Sequence, residues 1–452
     1  MFPPEVQKLL AAADQARSGW AADQAVQRYT EALDLVGGDE QGRRSIRMLR
    51  GLALVEMEDF DGGARELGEV LPNLEGREHI EALLGLGRAS MWMEQTDEAL
   101  GFAERSIELA ERLDDREMRG PALALLSHVH GQRGHEGDLG LAVELGDQAL
   151  QVWVPGTRAI DLAAHESLHA LNQYWVGRYA EAAELGRRGG DGATAGLALT
   201  ALGRHEEALE VFDAAIAQQR EADATIGTAY ALNCSTAALR DLLDIPEARR
   251  RNGEANELFR RVGFDSGVMQ GEIDLLYTDL LEDALANAER AWPGLWERAR
   301  DATGWERWLA PGRLAVARAE IALRAERPEA AIEGALEAIE VARRIGRVKY
   351  DVSARTALGT ALLELGRSKD AVVELRTAVE GADRLGHPPT RWQAHAALGR
   401  ALDGVGEDEG AAAAVLEAAD TIRGFAETLT PERARPLLAS SPVQEILALA
   451  TR

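Results

Sequence analysis

Cysteine is almost absent from the sequence, with Cys234 the single one in 452 residues. One cysteine excludes an intramolecular disulfide and a cysteine-cluster metal site, so the chain does not require an oxidising compartment. A run of about 18 apolar residues, which a membrane helix needs, is also missing. The first residues, Met1-Phe2-Pro3-Pro4, lack the basic and apolar regions of a secretory signal. We therefore expect a cytoplasmic protein.

Positive charge is scarce as well. The chain has 50 Lys and Arg against 76 Asp and Glu, which gives a formal charge of −26. Residues 51–150 alone contain 22 acidic and 8 basic side chains. Such an excess disfavours sequence-independent binding to nucleic acid phosphates or to anionic membranes. We predict a partner that is neutral or basic, with no nucleic acid and no membrane; the oligomeric state is unknown from the sequence.

Sequence motifs for cofactors and for common enzyme classes are missing too. A GxxxxGK(S/T) phosphate loop cannot occur, because none of the three lysines follows a glycine. Neither GxSxG nor DFG occurs, and no segment alternates apolar and polar residues as a half-buried strand does. The sequence therefore predicts no cofactor and gives no support for a β-sheet.

What the chain does contain is an internal repeat of about 40 residues. In the clearest copies, a glycine precedes a small residue by twelve positions, as in Gly87 with Ala99 and Gly359 with Ala371. Small residues that anchor the copies recur along the chain. The eleven anchors are Ala25, Ala64, Ala99, Ala142, Ala182, Ala208, Ala248, Ala284, Ala330, Ala371 and Ala411.

Each copy has the pattern of two amphipathic helices. Between residues 353 and 384, apolar or small residues recur every three or four positions on both sides of Gly366-Arg367-Ser368, which indicates a helix, a turn and a second helix. Because neighbouring copies must stack to bury these apolar faces, the fold class predicted is an all-α, right-handed α-solenoid of about eleven helix pairs.

The spacing of the anchors divides the chain into four predicted segments. Residues 1–190 form N-terminal repeats, 191–300 form central repeats after a Gly-rich corner at 189–192, 301–423 form C-terminal repeats, and 424–452 form a capping segment. The short interval at the corner predicts truncated helices. The long interval before Ala330 contains Trp292-Pro293-Gly294 and predicts a longer or kinked connection.

The small residues Gly359, Ala371 and Ala378 resemble those of the tetratricopeptide repeat (TPR). The resemblance covers most of the chain and is strongest over 345–423, although the fourth-position Trp of the family is absent. The 40-residue variant is similar to the C-terminal helical arrays of bacterial LuxR-type large ATP-binding regulators and ATPase-linked nucleotide cyclases. This resemblance implies a scaffold that binds a protein or peptide in a concave groove lined by the first helix of each pair.

Mapping the groove positions of that family onto this sequence gives a set of candidate partner-binding residues. Most are large amphipathic side chains, which suit an interface anchor. They are Arg88, Met91, Trp92, His128, Tyr174, Trp175, Asn233 and Arg240. In the alternative interpretation, Met91-Trp92 and Tyr174-Trp175 only fill gaps at helix ends.

One string with catalytic associations occurs, His165-Glu166-Ser167-Leu168-His169. In zinc hydrolases HExxH places two imidazoles on one helix face with the glutamate as general base. Here the usual continuation of the motif is absent, and the repeat frame places His165 and His169 where side chains pack against the neighbouring repeat. We therefore predict no metal site and no catalytic residue, with a zinc-dependent hydrolase through His165, Glu166 and His169 as a minor alternative.

The function predicted is a non-enzymatic scaffold for a protein or peptide partner. The main alternative is a ligand-sensing regulatory scaffold of a signalling or transcription system. The shape of the groove discriminates between them: a closed, aromatic-lined pocket near Trp92 and Trp175 favours sensing of a small molecule, and an open trough favours a peptide.

Overall fold

The computed structural model describes residues 2–19, 21–154 and 159–451 and contains 24 α-helices. One 3₁₀ turn, Leu71–Asn73, follows α4, and no strand occurs in the described residues. The helices are α1 Pro4–Ser18, α2 Ala22–Leu35, α3 Glu40–Glu56, α4 Phe60–Val70, α5 Gly76–Trp92, α6 Thr96–Arg112, α7 Arg116–Arg133, α8 Asp138–Val152, α9 Ala159–Trp175, α10 Tyr179–Arg188, α11 Gly192–Ala201, α12 His205–Glu221, α13 Thr225–Asp241, α14 Ile245–Arg261, α15 Asp265–Leu281, α16 Leu285–Arg300, α17 Glu306–Arg324, α18 Pro328–Ile345, α19 Val348–Glu364, α20 Ser368–Leu385, α21 Pro388–Asp403, α22 Asp408–Glu427, α23 Pro431–Ala439 and α24 Ser441–Leu449.

Consecutive helices form antiparallel pairs, and the predicted all-α solenoid of about eleven pairs is confirmed over α1–α22, with α23 and α24 following as a short extra pair. The anchor alanine stands at the fourth position of the second helix in most pairs, where it is fully buried against the first helix. Three predicted anchors were wrong. Ala64 is the fifth residue of α4, Ala284 precedes α16 and Ala330 is the third residue of α18. The buried residues at the fourth position of these helices are Gly63, Ala288 and Ala331.

The predicted longer connection is present at 301–305, between α16 and α17, but not at Trp292-Pro293-Gly294, because all three of these residues lie inside α16. Proline removes one helical hydrogen bond, but packing against the next helix compensates for the loss. The indole Nε1–H of Trp292 donates to the carbonyl of Leu314 on α17 at 2.8 Å, and Trp292 stacks on Trp296 with ring centroids 5.3 Å apart. Tertiary contacts therefore hold the helix through the proline.

The helices next to the Gly-rich corner are truncated, as predicted, although they belong to two neighbouring pairs, α9/α10 and α11/α12. Helices α10 and α11, on either side of the corner, have 10 residues each, against 17 for α12 and α13. Gly190 in the corner has a φ of 76°, a conformation that glycine adopts without steric cost.

The chain separates by its internal contacts into unit 1, Met1–Asn172, and unit 2, Gln173–Arg452. The four predicted segments remain a prediction. In unit 2 the largest apolar cluster joins distant parts of the sequence, since Ile422, Phe425 and Leu437 pack in the same core as Phe212 and Leu232. The C-terminal helices of unit 2 therefore pack against its early helices. Within the described residues, no helix combines the length and apolar character that crossing a bilayer requires.

The turns between paired helices have a common geometry, and this gives a testable prediction. In many of them the residue two positions before the second helix has positive φ, as Gly366 does at 69°. A methyl group on Gly366 would meet no atom within 4 Å, so Gly366→Ala changes only the backbone preference. We expect it to lower the free energy of unfolding by roughly 1 kcal/mol, measured by denaturant titration.

The matched control for this substitution is Gly253→Ala in α14. Gly253 is exposed, helical and equally free of neighbours within 4 Å. There alanine is expected to raise stability by about 0.5–1 kcal/mol, because it favours the helix. Effects of the same sign at both positions would contradict the assignment of the turn.

Candidate functional site

The first helices of the pairs, which are the odd-numbered ones, form a layer of their own. Within unit 1, α5 contacts both α3 and α7, and within unit 2 each odd-numbered helix from α11 to α21 contacts the next one. We call these helices the inner layer of each unit. All eight predicted groove residues lie on inner-layer helices, namely α5, α7, α9 and α13.

In unit 1 the predicted residues differ in exposure. Met91 is 1% exposed and its carbonyl accepts a hydrogen bond from Gln132 at 2.8 Å, so it is a core residue. Trp92 is 45% exposed and stacks on Phe60 with ring centroids 6.2 Å apart. Arg88 is half-buried and forms an ion pair with Asp161 at 3.3 Å. Trp92 is thus the large apolar side chain that this part of the inner layer presents to solvent.

The HExxH string lies in a buried histidine cluster that joins three helices. His165 Nε2 donates to the carbonyl of Gly146 at 3.2 Å, which leaves Nδ1 to accept from His128 Nε2 at 2.9 Å. The His169 ring stacks on that of His165, and His169 Nε2 bonds to Asp147 at 2.9 Å. Both nitrogens of His165 are therefore used in contacts between α7, α8 and α9.

The electrostatics of the cluster favour neutral rings. Burial, together with the neighbouring His169, lowers the pKa of His165 to about 3, against the opposing effect of the Gly146 carbonyl. Burial also holds the pKa of His128 well below its usual value. The predicted groove residue His128 thus lies in the same cluster as the HExxH string, and the arrangement binds helices to one another.

In unit 2, the predicted residues Asn233 and Arg240 belong to a buried polar network centred on Asp274. Asp274 accepts from Arg240 at 2.8 Å, from Asn233 at 2.9 Å, and from Arg313. Burial would raise the pKa of Asp274, but Arg313 and Arg240 reverse the effect and lower it. The carboxylate therefore stays charged between two guanidinium groups, and α13, α15 and α17 are tied together.

The other two predicted residues of unit 2, Tyr174 and Trp175, lie in an aromatic cluster. Trp175 is 8% exposed and meets Trp308 edge to face, with ring centroids 4.9 Å apart. The Arg347 guanidinium lies over the ring of Tyr350 at 4.5 Å and over that of Trp308 at 5.9 Å. Arg347 is also close enough to Tyr174 to oppose the rise that burial causes in the pKa of this tyrosine.

A second histidine cluster shows that the inner layer of unit 2 closes on itself. Asp241 Oδ2, at the end of α13, accepts from His205 Nε2 at 3.0 Å and from His387 Nε2 at 2.9 Å. His387 is 146 residues after Asp241 and also bonds through Nδ1 to the Thr390 hydroxyl at 2.7 Å. The groove of unit 2 is thus enclosed near Trp175, where the sequence left open whether it would be a trough.

Among the described residues, His205, Asp241 and His387 form the group that could hold a metal ion, with ligand atoms within 4.8 Å of one another. Two imidazole nitrogens and a carboxylate suit Zn²⁺. Both rings, however, direct an Nε2–H at the same carboxylate oxygen, and Lys349 lies near enough to lower the pKa of Asp241 and of His387. A cation beside the cluster disfavours a second one, so the geometry suits a hydrogen-bonded contact between α12, α13 and α21.

Sequence reasoning missed Asp274, Trp308, Arg313, Arg347 and Lys349. Two of them, Arg347 and Lys349, lie near the start of 345–423, where the resemblance to the TPR is strongest, but that resemblance concerned the scaffold and assigned no contact. The rarity of two of these residues could have marked them as candidates, because Lys349 is one of three lysines in the chain and Trp308 is one of nine tryptophans.

Comparison with known proteins identifies the fold. No protein-family model matches the chain, and no curated protein matches it. Among solved structures, the APC/C hetero-tetramer Cut9–Hcn1 aligns with 99% of this chain and 97% of its own, at 13% identity and a TM-score of 0.52. A Rap protein complexed with competence and sporulation factor gives 15% identity, coverage of 94% and 99%, and a TM-score of 0.41. Yeast Tom70 gives 12% identity, coverage of 99% and 95%, and a TM-score of 0.37.

The likeness to the Cut9 structure places the fold in the class of TPR-like helical repeat arrays. It confirms the TPR-type part of the resemblance. The similarity to LuxR-type regulators and nucleotide cyclases stays a prediction.

Proposed function

We propose that the protein is a non-enzymatic, cytoplasmic scaffold that binds a protein or peptide partner on its inner layer. The observation that carries the proposal is the character of this layer. It presents Trp92, Tyr277 and Tyr350, large side chains with polar ends, where helix packing alone needs only small residues such as Ala315 and Ala319. The similar Cut9–Hcn1 structure is a hetero-tetramer, that is, a protein assembly, which supports the same class of function.

The charge of the chain supports this class over the other macromolecular partners. With a formal charge of −26, the surface repels nucleic acid phosphates and anionic lipid head groups. A partner with a neutral or basic surface meets no such barrier, and the acidic segment 51–150 would speed its association.

Trp92 gives the cleanest test of the proposal. Because Trp92 is 45% exposed, Trp92→Ala removes mainly its stack on Phe60, whereas truncating an aromatic anchor in an interface costs about 2 kcal/mol or more. We expect the affinity for a partner captured on the immobilised full chain to fall at least about tenfold. The melting temperature should fall by no more than a few degrees, which is the cost of the lost stack.

The matched control is Leu113→Ala, which removes a side chain of similar exposure, 46%, at the end of the second helix α6. This variant should bind as the wild type does. Equal affinity of wild type and Trp92→Ala would refute recognition through this part of the inner layer. Trp175→Ala is unsuitable, because Trp175 is buried against Trp308 and its removal would weaken binding through lost stability.

A second candidate function is favoured by one observation, the closure of unit 2. Its inner layer is enclosed by the contact of Asp241 with His387, and aromatic and cationic side chains lie together inside. Enclosed sites with a few polar groups suit a small ligand better than an extended chain. A ligand-sensing scaffold, in which unit 2 holds a small molecule, is therefore the alternative.

A further inference from the structure

Arg347 differs from the other buried arginines of the protein. Three arginines among the described residues are less than one-tenth exposed: Arg17, Arg347 and Arg355. Arg17 pairs with Glu56 at 2.6 Å, and Arg355 pairs with Asp351 at 2.9 Å. For Arg347, no carboxylate of the described residues lies within 4.0 Å, and its buried Nη1 has no hydrogen-bond acceptor. Its guanidinium is buried against the rings of Tyr350 and Trp308.

An unpaired buried charge is costly, because desolvation is not offset by a counter-ion or by hydrogen bonds. Stacking on Tyr350 and Trp308 recovers part of the cost, since aromatic faces attract cations, but it satisfies none of the N–H donors, which lie at the edge of the guanidinium plane. The edge of the Arg347 group therefore presents donors that an oxyanion would satisfy.

Lys349 is a second, half-buried cation two residues after Arg347 and within electrostatic range of it. Asp241 lies near these groups but already accepts from two histidines, and Asp274 already binds Arg240 and Arg313. Neither carboxylate pairs with Arg347, so this guanidinium has no counter-ion among the described residues.

We propose that unit 2 binds a ligand carboxylate at the Arg347 guanidinium, with Lys349 as a second positive charge nearby and the half-buried ring of Tyr350 beside it to receive an apolar or aromatic part of the ligand. The inference rests on the proposed function, because it names the chemistry of the ligand that the inner layer of unit 2 takes. A guanidinium edge binds a carboxylate with two parallel hydrogen bonds, and the ammonium group adds a point charge. The carboxylate can belong to a peptide C-terminus or to a small free acid.

The test uses three probes and the full chain. N-acetylphenylalanine represents a peptide C-terminus, its C-terminal amide lacks the carboxylate, and benzoate represents a free aromatic acid. Melting temperature is followed against probe concentration, with sodium chloride keeping the ionic strength constant. We expect at least one acid to raise the melting temperature saturably, by about 2–4 °C well above its Kd, and the amide to have no effect. The acid that binds identifies the source.

Arg347→Met supplies the matched variant. It should weaken binding of the acid at least tenfold by calorimetry, and it should melt at or above the wild-type temperature without probe, because it removes an unpaired charge. Arg344→Met is the control, since Arg344 is exposed in the same segment and should bind the acid as the wild type does. Arg347→Lys keeps the charge and should retain part of the binding.

Four results would overturn the inference. They are equal effects of acid and amide, a wild-type protein that responds to neither acid, binding that persists in Arg347→Met, and a fall of several degrees in the melting temperature of Arg347→Met without probe. The last result would mean that Arg347 supports the fold. If Arg347→Met does not fold, the wild-type titration and Arg347→Lys decide the question. It is also possible to reject this inference alone. If neither acid has an effect, but the full chain still captures its partner and Trp92→Ala still weakens that capture, the carboxylate site is rejected and the proposed function stands.

Discussion

Replacing Asp274 by alanine is expected to lower the free energy of unfolding by about 3–5 kcal/mol. The carboxylate is 5% exposed and binds Arg240, Arg313 and Asn233, so its removal leaves two guanidinium groups in the interior without a counter-ion. Denaturant titration of the variant at neutral pH measures the loss. Unit 2 should lose stability selectively, because all four residues belong to it.

The matched control for Asp274→Ala breaks an exposed ion pair of the same kind. Glu333 pairs with Arg318 at 3.2 Å while its side chain is 71% exposed. Glu333→Ala should cost less than about 1 kcal/mol, because solvent screens the pair. If Asp274→Ala costs no more than Glu333→Ala, then the network does not hold the inner layer of unit 2 together.

Acidification is expected to destabilise both units before most carboxylates titrate. Burial and the nearby Lys349 lower the pKa of His387 to about 4, against the opposing effect of Asp241, and burial lowers that of His165 to about 3. Between these values and about 6.5 the unfolded chain binds protons that the folded chain does not. Stability is therefore fully present above about pH 6.5 and falls as the pH drops towards 4.

The free energy of unfolding should change by roughly 1.4 kcal/mol per pH unit for each histidine in this range. His165 lies in unit 1 and His387 in unit 2. His165→Asn should therefore reduce the pH dependence of the stability of unit 1, and His387→Asn that of unit 2, so each variant is the control for the other. Stability that is constant between pH 7 and 5 in the wild type would contradict neutral, buried rings.

The helix pairs were predictable because their signal is local. A small residue where two helices approach, and apolar residues every three or four positions, fix each pair within about 40 residues of sequence. The errors at Ala284 and at Trp292-Pro293-Gly294 arose where tertiary contacts outweigh local preference, since Trp292 anchors α16 to α17 across the proline. The positions of His165 and His169 against a neighbouring pair were also predictable, because helix periodicity determines which face is buried.

The enclosure of unit 2 was not predictable in the same way. It depends on a small rotation at each of several pairs, which adds up until α21 reaches α13. The contact of His387 with Asp241 joins residues 146 positions apart and leaves no periodic trace in the sequence. The same closure places Trp175 against Trp308, so this predicted groove residue is buried. Whether a partner reaches any of the eight groove residues remains a prediction.

Covalent carbene footprinting of the full chain, alone and with its captured partner, shows whether the partner contacts the inner layer. We expect labelling to fall at Trp92 and at other exposed inner-layer side chains, while Val373 on α20 and Leu416 on α22 keep their labelling. These two side chains are 65% and 48% exposed on second helices, so they report on the outer face. Protection of Val373 and Leu416 with unchanged labelling of the inner layer would refute inner-layer recognition.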